Sequence, residues 1–157
     1  MMNKTIRVAA ALMSMVCVFI FAGCSSEAKD VDLNEVLNTI NSEYQIENTT
    51  AVADKEKLNT LYQIAEEDVE SFAAEISETE ITEIILVKAV DAEAATRVSE
   101  KLQIRLNGKK SQAASYEAEV LDLVKQCEVA TNNDVYVRLI VADNVKEITD
   151  TYNSFFE

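Results

Sequence analysis

The 157-residue sequence contains no histidine, no tryptophan and no proline, and it contains only two glycines. Because histidine is absent, Ser-His-Asp and Cys-His catalysis in their usual forms are excluded, as are His-ligated zinc or iron sites and a histidine pH switch. The absence of tryptophan disfavours a sugar-cleaving site, since such sites usually present aromatic platforms. We therefore predict that the protein is not an enzyme and that it uses no cofactor and no metal.

Basic residues are scarce as well. The chain has 14 Lys and Arg against 28 Asp and Glu, which gives a net charge of −14 at pH 7. Phosphate neutralisation requires clustered Lys and Arg, so the composition predicts no nucleic-acid partner. Two interpretations of the acidity remain. It is either an anionic envelope that keeps the protein soluble, or a surface that attracts cations or basic partners.

One long uncharged run is present, Val8–Phe21, behind the positive charges of Lys4 and Arg7. A positive start, a short apolar run and small residues at its end predict a secretory signal peptide. The run holds 14 residues, fewer than the roughly 20 that cross a hydrocarbon core about 30 Å thick. The alternatives are an uncleaved anchor helix and a conventional cleavage that releases a soluble protein.

The end of this run, Phe21-Ala22-Gly23-Cys24, resembles the lipobox of bacterial lipoproteins. The resemblance implies cleavage before Cys24 and a diacylglyceryl group on its sulfur. Two or more acyl chains anchor a protein stably where a single chain is marginal. We therefore predict a lipoprotein signal peptide at 1–23, a tether at 24–31 and a single α+β domain at 32–157. The lipid on Cys24 would hold this domain at the extracytoplasmic face of the cell membrane.

The three cysteines allow no disulfide in the mature chain. Cys17 would leave with the signal peptide and Cys24 would carry the lipid, so Cys127 remains alone. Valines flank Cys127, and this setting predicts a buried small hydrophobe. A reactive thiol near Lys125 is the alternative.

The periodicity of apolar residues predicts the order helix, short helix, hairpin, long helix, short helix, hairpin, helix. The predicted ranges are 32–44, 54–63, 69–90, 91–112, 117–125, 127–141 and 143–156, with a loop at 47–53 and N-caps at Asp32, Asp91 and Asp143. Asn107-Gly108 either ends or bends the long helix. Two hairpins separated by a helix predict an α+β fold of two layers, a four-stranded antiparallel sheet with helices packed on one face.

Tyr136, Arg138 and Ile140 alternate with valines and leucine along the last predicted strand, and Lys88 interrupts an apolar strand. If helices leave one sheet face open, Tyr136, Arg138 and Lys88 would lie on it. An aromatic, a guanidinium and an aliphatic side chain together are typical of a protein-binding patch. The alternative is a solvated strand face, or a cation with a partner carboxylate.

The acidic residues suggest two further interpretations. Asp30-Val31-Asp32-Leu33-Asn34 has the opening spacing of a calcium loop, but the loop's sixth-position glycine is Glu35 and its twelfth-position acid is Asn41. A tether followed by a helix cap explains the stretch better. The densest acidic cluster, Glu66 to Glu70, is interpreted as a solvated surface; weak divalent binding and paired-carboxylate hydrolysis are the alternatives.

From about Leu61 onward the chain resembles domain of unknown function 4358, a domain family of bacterial surface lipoproteins. The resemblance rests on Leu61-Tyr62-Gln63-Ile64, Asp68-Val69-Glu70, Glu83–Ala89, Tyr116 and Tyr136–Val141 followed by Asp143. The family has no agreed activity, so the resemblance implies no catalytic residue. We expect a membrane-anchored extracytoplasmic lipoprotein that binds a partner or ligand, such as an envelope protein, without catalysis. The alternatives are a carboxylate-based hydrolase acting on envelope glycans and a cation-binding surface protein.

Overall fold

A computed structural model gives the structure of residues 29–79, 81–116 and 118–157. The predicted signal peptide, Cys24 and most of the predicted tether lie outside the described residues. The helices are α1 (Leu33–Tyr44), α2 (Lys55–Tyr62), α3 (Ala92–Tyr116), α4 (Ala118–Gln126) and α5 (Val145–Ser154), and a 3-10 turn covers Glu66–Asp68. The strands are β1 (Thr49–Ala51), β2 (Val69–Ser77), β3 (Glu83–Ala89), β4 (Val129–Asn132) and β5 (Tyr136–Val141). None of the described helices combines the length and the apolar character needed to cross a bilayer.

The described strands form one antiparallel sheet in the order β1-β2-β3-β5-β4. The predicted α+β class and both predicted hairpins are confirmed. The predicted number of four strands is wrong, because β1 forms inside the stretch expected to be a loop. β1 pairs with the end of β2, where Thr50 lies opposite Ile76. A three-residue edge strand has no alternating apolar pattern, so its pairing depends on β2 more than on its own sequence.

Helices cover both faces of the sheet, so the predicted two layers with helices on one face are wrong. Glu75 of β2 lies opposite Ile84 of β3 and accepts a hydrogen bond from Asn41 of α1. Neighbouring side chains alternate across a strand, so Glu83 points to the other face, where it pairs with Arg105 of α3. α1 and α5 pack together as one outer layer, and α3 forms the other with α2 and α4 against it.

The central strands carry the hydrophobic core. The residues from Ile84 to Val87 in β3 and from Leu139 to Val141 in β5 are all completely buried. A continuous apolar run is the pattern of a strand covered on both faces. Each fully buried aliphatic side chain of this kind contributes roughly 1.5–3 kcal/mol relative to exposure.

Side-chain caps start several of the helices. Asp32 and Asp91 accept hydrogen bonds from backbone N–H groups in the first turns of α1 and α3, as predicted. The predicted cap Asp143 is wrong, since Asn144 occupies the N-cap position of α5 and makes no side-chain cap hydrogen bond. α3 continues through Asn107-Gly108, so this pair does not end the helix.

The turn of the second hairpin has a left-handed backbone. Asn133 and Asp134 have left-handed φ angles of 46° and 62°, and they belong to the three-residue turn 133–135 between the paired residues Asn132 and Tyr136. Asn and Asp tolerate this region better than most residues. Cys127, just before this hairpin, is buried as predicted, and burial raises the pKa of its thiol.

Candidate functional site

Glu83, at the first position of β3, is a carboxylate with no solvent exposure. The Nε of Arg105 lies 3.1 Å from each of its two carboxylate oxygens, and the Nζ of Lys109 lies 2.8 Å from Oε2. Arg105 and Lys109 are four residues apart on α3 and therefore project from the same side of the helix. A buried charge is tolerated when it is paired and hydrogen-bonded, and this carboxylate has two cationic partners.

Tyr62 completes this group from the end of α2. The guanidinium carbon of Arg105 lies 5.7 Å from the centre of the Tyr62 ring, within the range of a cation–π contact. Burial raises the pKa of the Tyr62 phenol, and the negative charge of Glu83 raises it further. The phenol therefore stays protonated at any physiological pH. We refer to Tyr62, Glu83, Arg105 and Lys109 as the Glu83 cluster.

A cleft of about 380 Å³ opens on the Glu83 cluster between α2 and α3, and we call it the α2–α3 cleft. Its lining combines the cations Lys101, Arg105 and Lys109 with the amides of Gln63 and Gln112 and the apolar side chains of Leu61, Tyr62 and Ile104. No residue of the described chain that lines it is acidic. Ile104 is 65% exposed at its edge, the most exposed of the large described hydrophobic residues.

The positive charge of the cleft comes from α3. This helix carries five of the 14 basic residues of the chain but only two of its 28 acidic residues. Lys101, Arg105 and Lys109 follow one another at four-residue intervals, so they form a stripe along one side of the helix. Arg105 and Lys109 share one carboxylate, whereas Lys101 has no ion-pair or hydrogen-bond partner among the described residues. The cleft is thus a local cationic surface on an acidic protein.

A second cleft, of about 470 Å³, adjoins the first at Lys109 and Gln112. Glu78 and Asp143 line it, and both side chains are exposed. A carboxyl group that acts as a general acid is normally held protonated by burial or by a nearby like charge. The buried Glu83 lies between two cations, Arg105 and Lys109.

The structure brings together the three residues predicted to form a binding patch, but it does not expose them. Tyr136 lies opposite Lys88, and Arg138 lies opposite Leu86, so the three share one sheet face. α5 and the residues after it cover that face. The Arg138 guanidinium lies 5.6 Å from the centre of the Tyr152 ring in α5, and the Tyr136 ring packs against Phe156 just beyond the helix. Tyr136 and Arg138 are only 1% and 3% exposed. The open sheet face on which the prediction depended is absent from the described structure. A direct binding role for these residues stays a prediction.

The aspartates with calcium-like spacing have other partners. Asp30 accepts hydrogen bonds from the Tyr136 hydroxyl and from Lys88, each at 3.0 Å, and Asp32 caps α1. These cationic and hydroxyl partners hold the pKa of Asp30 below its ordinary value. Among the residues that the structure describes, no group of three or more acidic or cysteine side chains is placed to hold a metal ion.

The acidic cluster at Glu66 to Glu70 is only partly the solvated surface that we predicted. Glu66 and Glu67 are exposed. Asp68 is buried and accepts three hydrogen bonds from the guanidinium of Arg97, with distances of 2.6–3.1 Å. Glu70 pairs with Lys88 at 2.7 Å. The interpretation is therefore wrong for Asp68, which joins the start of β2 to α3.

The Glu83 cluster was not predicted from the sequence, although two signals for it were present. Glu83 is an acid at the start of a strand that is otherwise almost entirely apolar. The basic residues of α3 stand at four-residue spacing in a chain with twice as many acids as bases. A buried acid needs a cation, and α3 was the richest source of cations.

The described helices and strands therefore define an α+β domain with a central antiparallel sheet and one cationic cleft. The chain belongs to the family described as Domain of unknown function (DUF4358), whose model matches residues 42–142. The matched range contains all four residues of the Glu83 cluster. No curated protein and no solved structure matches the chain.

Proposed function

We propose that the chain is a lipoprotein anchored through Cys24 at the extracytoplasmic face of the membrane, and that its domain binds a ligand or partner without catalysis. The α2–α3 cleft is the binding site in this proposal, and it receives an anionic group. The observation that carries the proposal is the uncompensated positive charge of the cleft. Three cations, Lys101, Arg105 and Lys109, face it, and Glu83 supplies a single negative charge.

The setting of these cations supports binding of an anion. The rest of the chain is strongly acidic, so an anion is repelled from most of the surface and attracted at the cleft. Arg105 is held in place by Glu83 and Tyr62, and a side chain that is already ordered loses less entropy when it binds. The apolar side chains of Leu61 and Ile104 at the rim would contact a nonpolar portion of the same ligand.

Calorimetry tests the binding site. We expect citrate, a small tricarboxylate, to bind the detergent-solubilised protein and to bind about tenfold more weakly to Lys101→Glu, which corresponds to about 1.4 kcal/mol. Lys146→Glu on α5 is the matched control, because it makes the same charge change at an exposed position on the opposite helix layer. Equal weakening in both variants, or no binding by the parent protein, would refute the cleft as an anion site.

Labelling of cells tests the anchor. We expect a palmitate analogue to label the parent chain and not the Cys24→Ala variant. Equal label in both chains would refute lipidation at Cys24.

One observation favours a second candidate, a carboxylate-based hydrolase acting on envelope glycans. Glu78 and Asp143 line the same cleft, as paired carboxylates do in glycoside hydrolases. In this case purified cell-wall glycan would release reducing ends with the parent protein and not with the Glu78→Gln, Asp143→Asn double variant. Equal release by the two proteins, or none by either, would refute it.

A further inference from the structure

The chain that leads into the domain is bonded to one end of the central sheet. The backbone N–H of Val31 donates a hydrogen bond to the Tyr136 hydroxyl at 3.0 Å. That hydroxyl donates in turn to the carboxylate of Asp30 at 3.0 Å, and Lys88 contacts the same carboxylate at 3.0 Å. Val31 is 6% exposed, so residues 30 and 31 belong to the folded body and not to a free tether.

This attachment lies at the end of the sheet opposite the α2–α3 cleft. Lys88 pairs with Tyr136 near one end of β3, and Glu83 pairs with Val141 at the other end. Lys88 lies five residue steps after Glu83 along an extended strand, which corresponds to about 17 Å. The point where the chain enters the domain and the site proposed above are thus separated by the length of the central strand.

The connection to the proposed lipid is short. Six residues lead from Cys24 to Asp30, and a fully extended chain of that length reaches at most about 22 Å. The Lys88–Tyr136 end of the sheet therefore stays near the bilayer whenever Cys24 carries lipid. The acidic surface of the domain also disfavours lying flat on anionic lipid, because like charges repel.

We infer that the domain is held with the Lys88–Tyr136 end of its sheet toward the membrane and with the α2–α3 cleft facing away from it. The inference rests on the lipid anchor of the proposed function. The cleft would then take its anion from the aqueous phase or from a partner protein, because the anchor keeps it away from the phospholipid headgroups. An anionic lipid of the same bilayer is the ligand that this orientation disfavours.

Energy transfer from the protein to the membrane tests the orientation. The lipidated full chain is reconstituted in vesicles that contain a headgroup-labelled acceptor lipid, with a donor dye on Val90→Cys or on Thr79→Cys. Both positions are exposed; Val90 follows the Lys88 end of β3, and Thr79 precedes its Glu83 end. Cys127 is 3% exposed, and the parent chain treated with the same dye measures any background labelling.

We expect a larger loss of donor fluorescence at position 90 than at position 79. Equal losses, or a larger loss at 79, would overturn the orientation while leaving the anchor intact. The same two dye-labelled chains with an added Cys24→Ser change show what is measured when the lipid is absent. If neither dye transfers energy to the membrane, and the values match those of the Cys24→Ser forms, the anchor itself is refuted and the orientation with it.

Discussion

The ammonium nitrogen of Lys109 lies 2.8 Å from a carboxylate oxygen of Glu83, and the Glu83 side chain has no solvent exposure. Lys109 is itself mostly buried, with 13% of its side chain exposed. Both charges have lost most of their water, so each depends on the other and on Arg105. Breaking a buried pair on one side costs more than replacing both partners, because a single change leaves a charge without compensation.

A double-mutant cycle measures this dependence. We expect Glu83→Gln to lower the free energy of unfolding by about 2–4 kcal/mol, since it leaves Arg105 and Lys109 facing each other without a carboxylate. Lys109→Met should cost about 1–3 kcal/mol, because Arg105 still compensates Glu83. The double variant should lose less than the sum by about 1 kcal/mol or more. Urea unfolding followed by circular dichroism gives all four values.

Lys101→Met is the matched control for this cycle. Lys101 lies on the same side of α3 but has no partner among the described residues, so we expect a change within about 0.5 kcal/mol. Additive effects of Glu83→Gln and Lys109→Met would show that the two side chains do not stabilise each other.

The pair between Asp68 and Arg97 predicts a pH dependence of stability. Hydrogen bonds from Arg97 hold the pKa of Asp68 below its ordinary value of 3.8. As the pH is lowered, the unfolded chain therefore binds a proton at this carboxyl at a higher pH than the folded chain does. The contribution of Asp68 is fully present above the unfolded pKa and is lost as the pH falls through the lower folded pKa.

Asp68→Asn should accordingly lower the free energy of unfolding by about 1–2 kcal/mol near pH 7, a modest value because Arg97 is half exposed. The difference from the parent should shrink near pH 3. Urea unfolding at the two pH values checks this, with the exposed neighbour Glu67→Gln as the control. A difference that is the same at both pH values would mean that Asp68 acts through packing and not through its charge.

Much of the fold could be predicted from the sequence because it follows from local patterns. The two hairpins and the helices show clear apolar periods, and the positive φ angles at Asn133 and Asp134 follow from residue type. The assignment of helices to the two sheet faces could not be predicted in the same way. β3 has an apolar pattern on both faces, but the pattern alone does not show which helix covers which face.

The candidate site was harder to predict because it depends on long-range contacts. Tyr136 and Arg138 look like surface residues in the sequence, since they alternate with valines and leucine on β5. In the structure α5 covers them, and the hydroxyl of Tyr136 bonds a segment more than 100 residues earlier in the chain. Glu83 and Arg105 are 22 residues apart, so no local spacing rule connects them.

Arg138 allows a test that separates folding from binding. Its Nη2 lies 3.1 Å from Glu128, but Nε and Nη1 have no hydrogen-bond partner in the described part of the chain. A buried, incompletely paired cation is often replaced without loss by an apolar side chain of similar size. We expect Arg138→Met to change the free energy of unfolding by less than about 1 kcal/mol, whereas Arg138→Glu should cost more than about 3 kcal/mol.

Thermal unfolding of the two Arg138 variants checks this expectation. A large loss in Arg138→Met would show that the guanidinium is essential to the packing of α5 on the sheet. If Arg138→Met folds normally, partner capture from envelope extracts can be compared with that of the parent chain. Capture that is unchanged would argue against the predicted binding role of Arg138 without the ambiguity of an unfolded variant.

Gly108 offers a stabilising substitution inside α3. The residue lies in the body of the helix, its φ is not positive, and a Cβ built on it meets no atom within 4 Å. Glycine in a helix interior costs about 0.5–1 kcal/mol relative to alanine, because its unfolded backbone has more freedom to lose. We expect Gly108→Ala to raise the free energy of unfolding by about that amount and to raise the melting temperature by a few degrees. Ala114→Gly, at an exposed position six residues further along α3, should have the opposite effect, smaller in size because Ala114 lies in the last turn of the helix. A lower melting temperature for Gly108→Ala would mean that α3 needs a flexible position beside the α2–α3 cleft, and citrate binding by the same variant would show whether the cleft uses it.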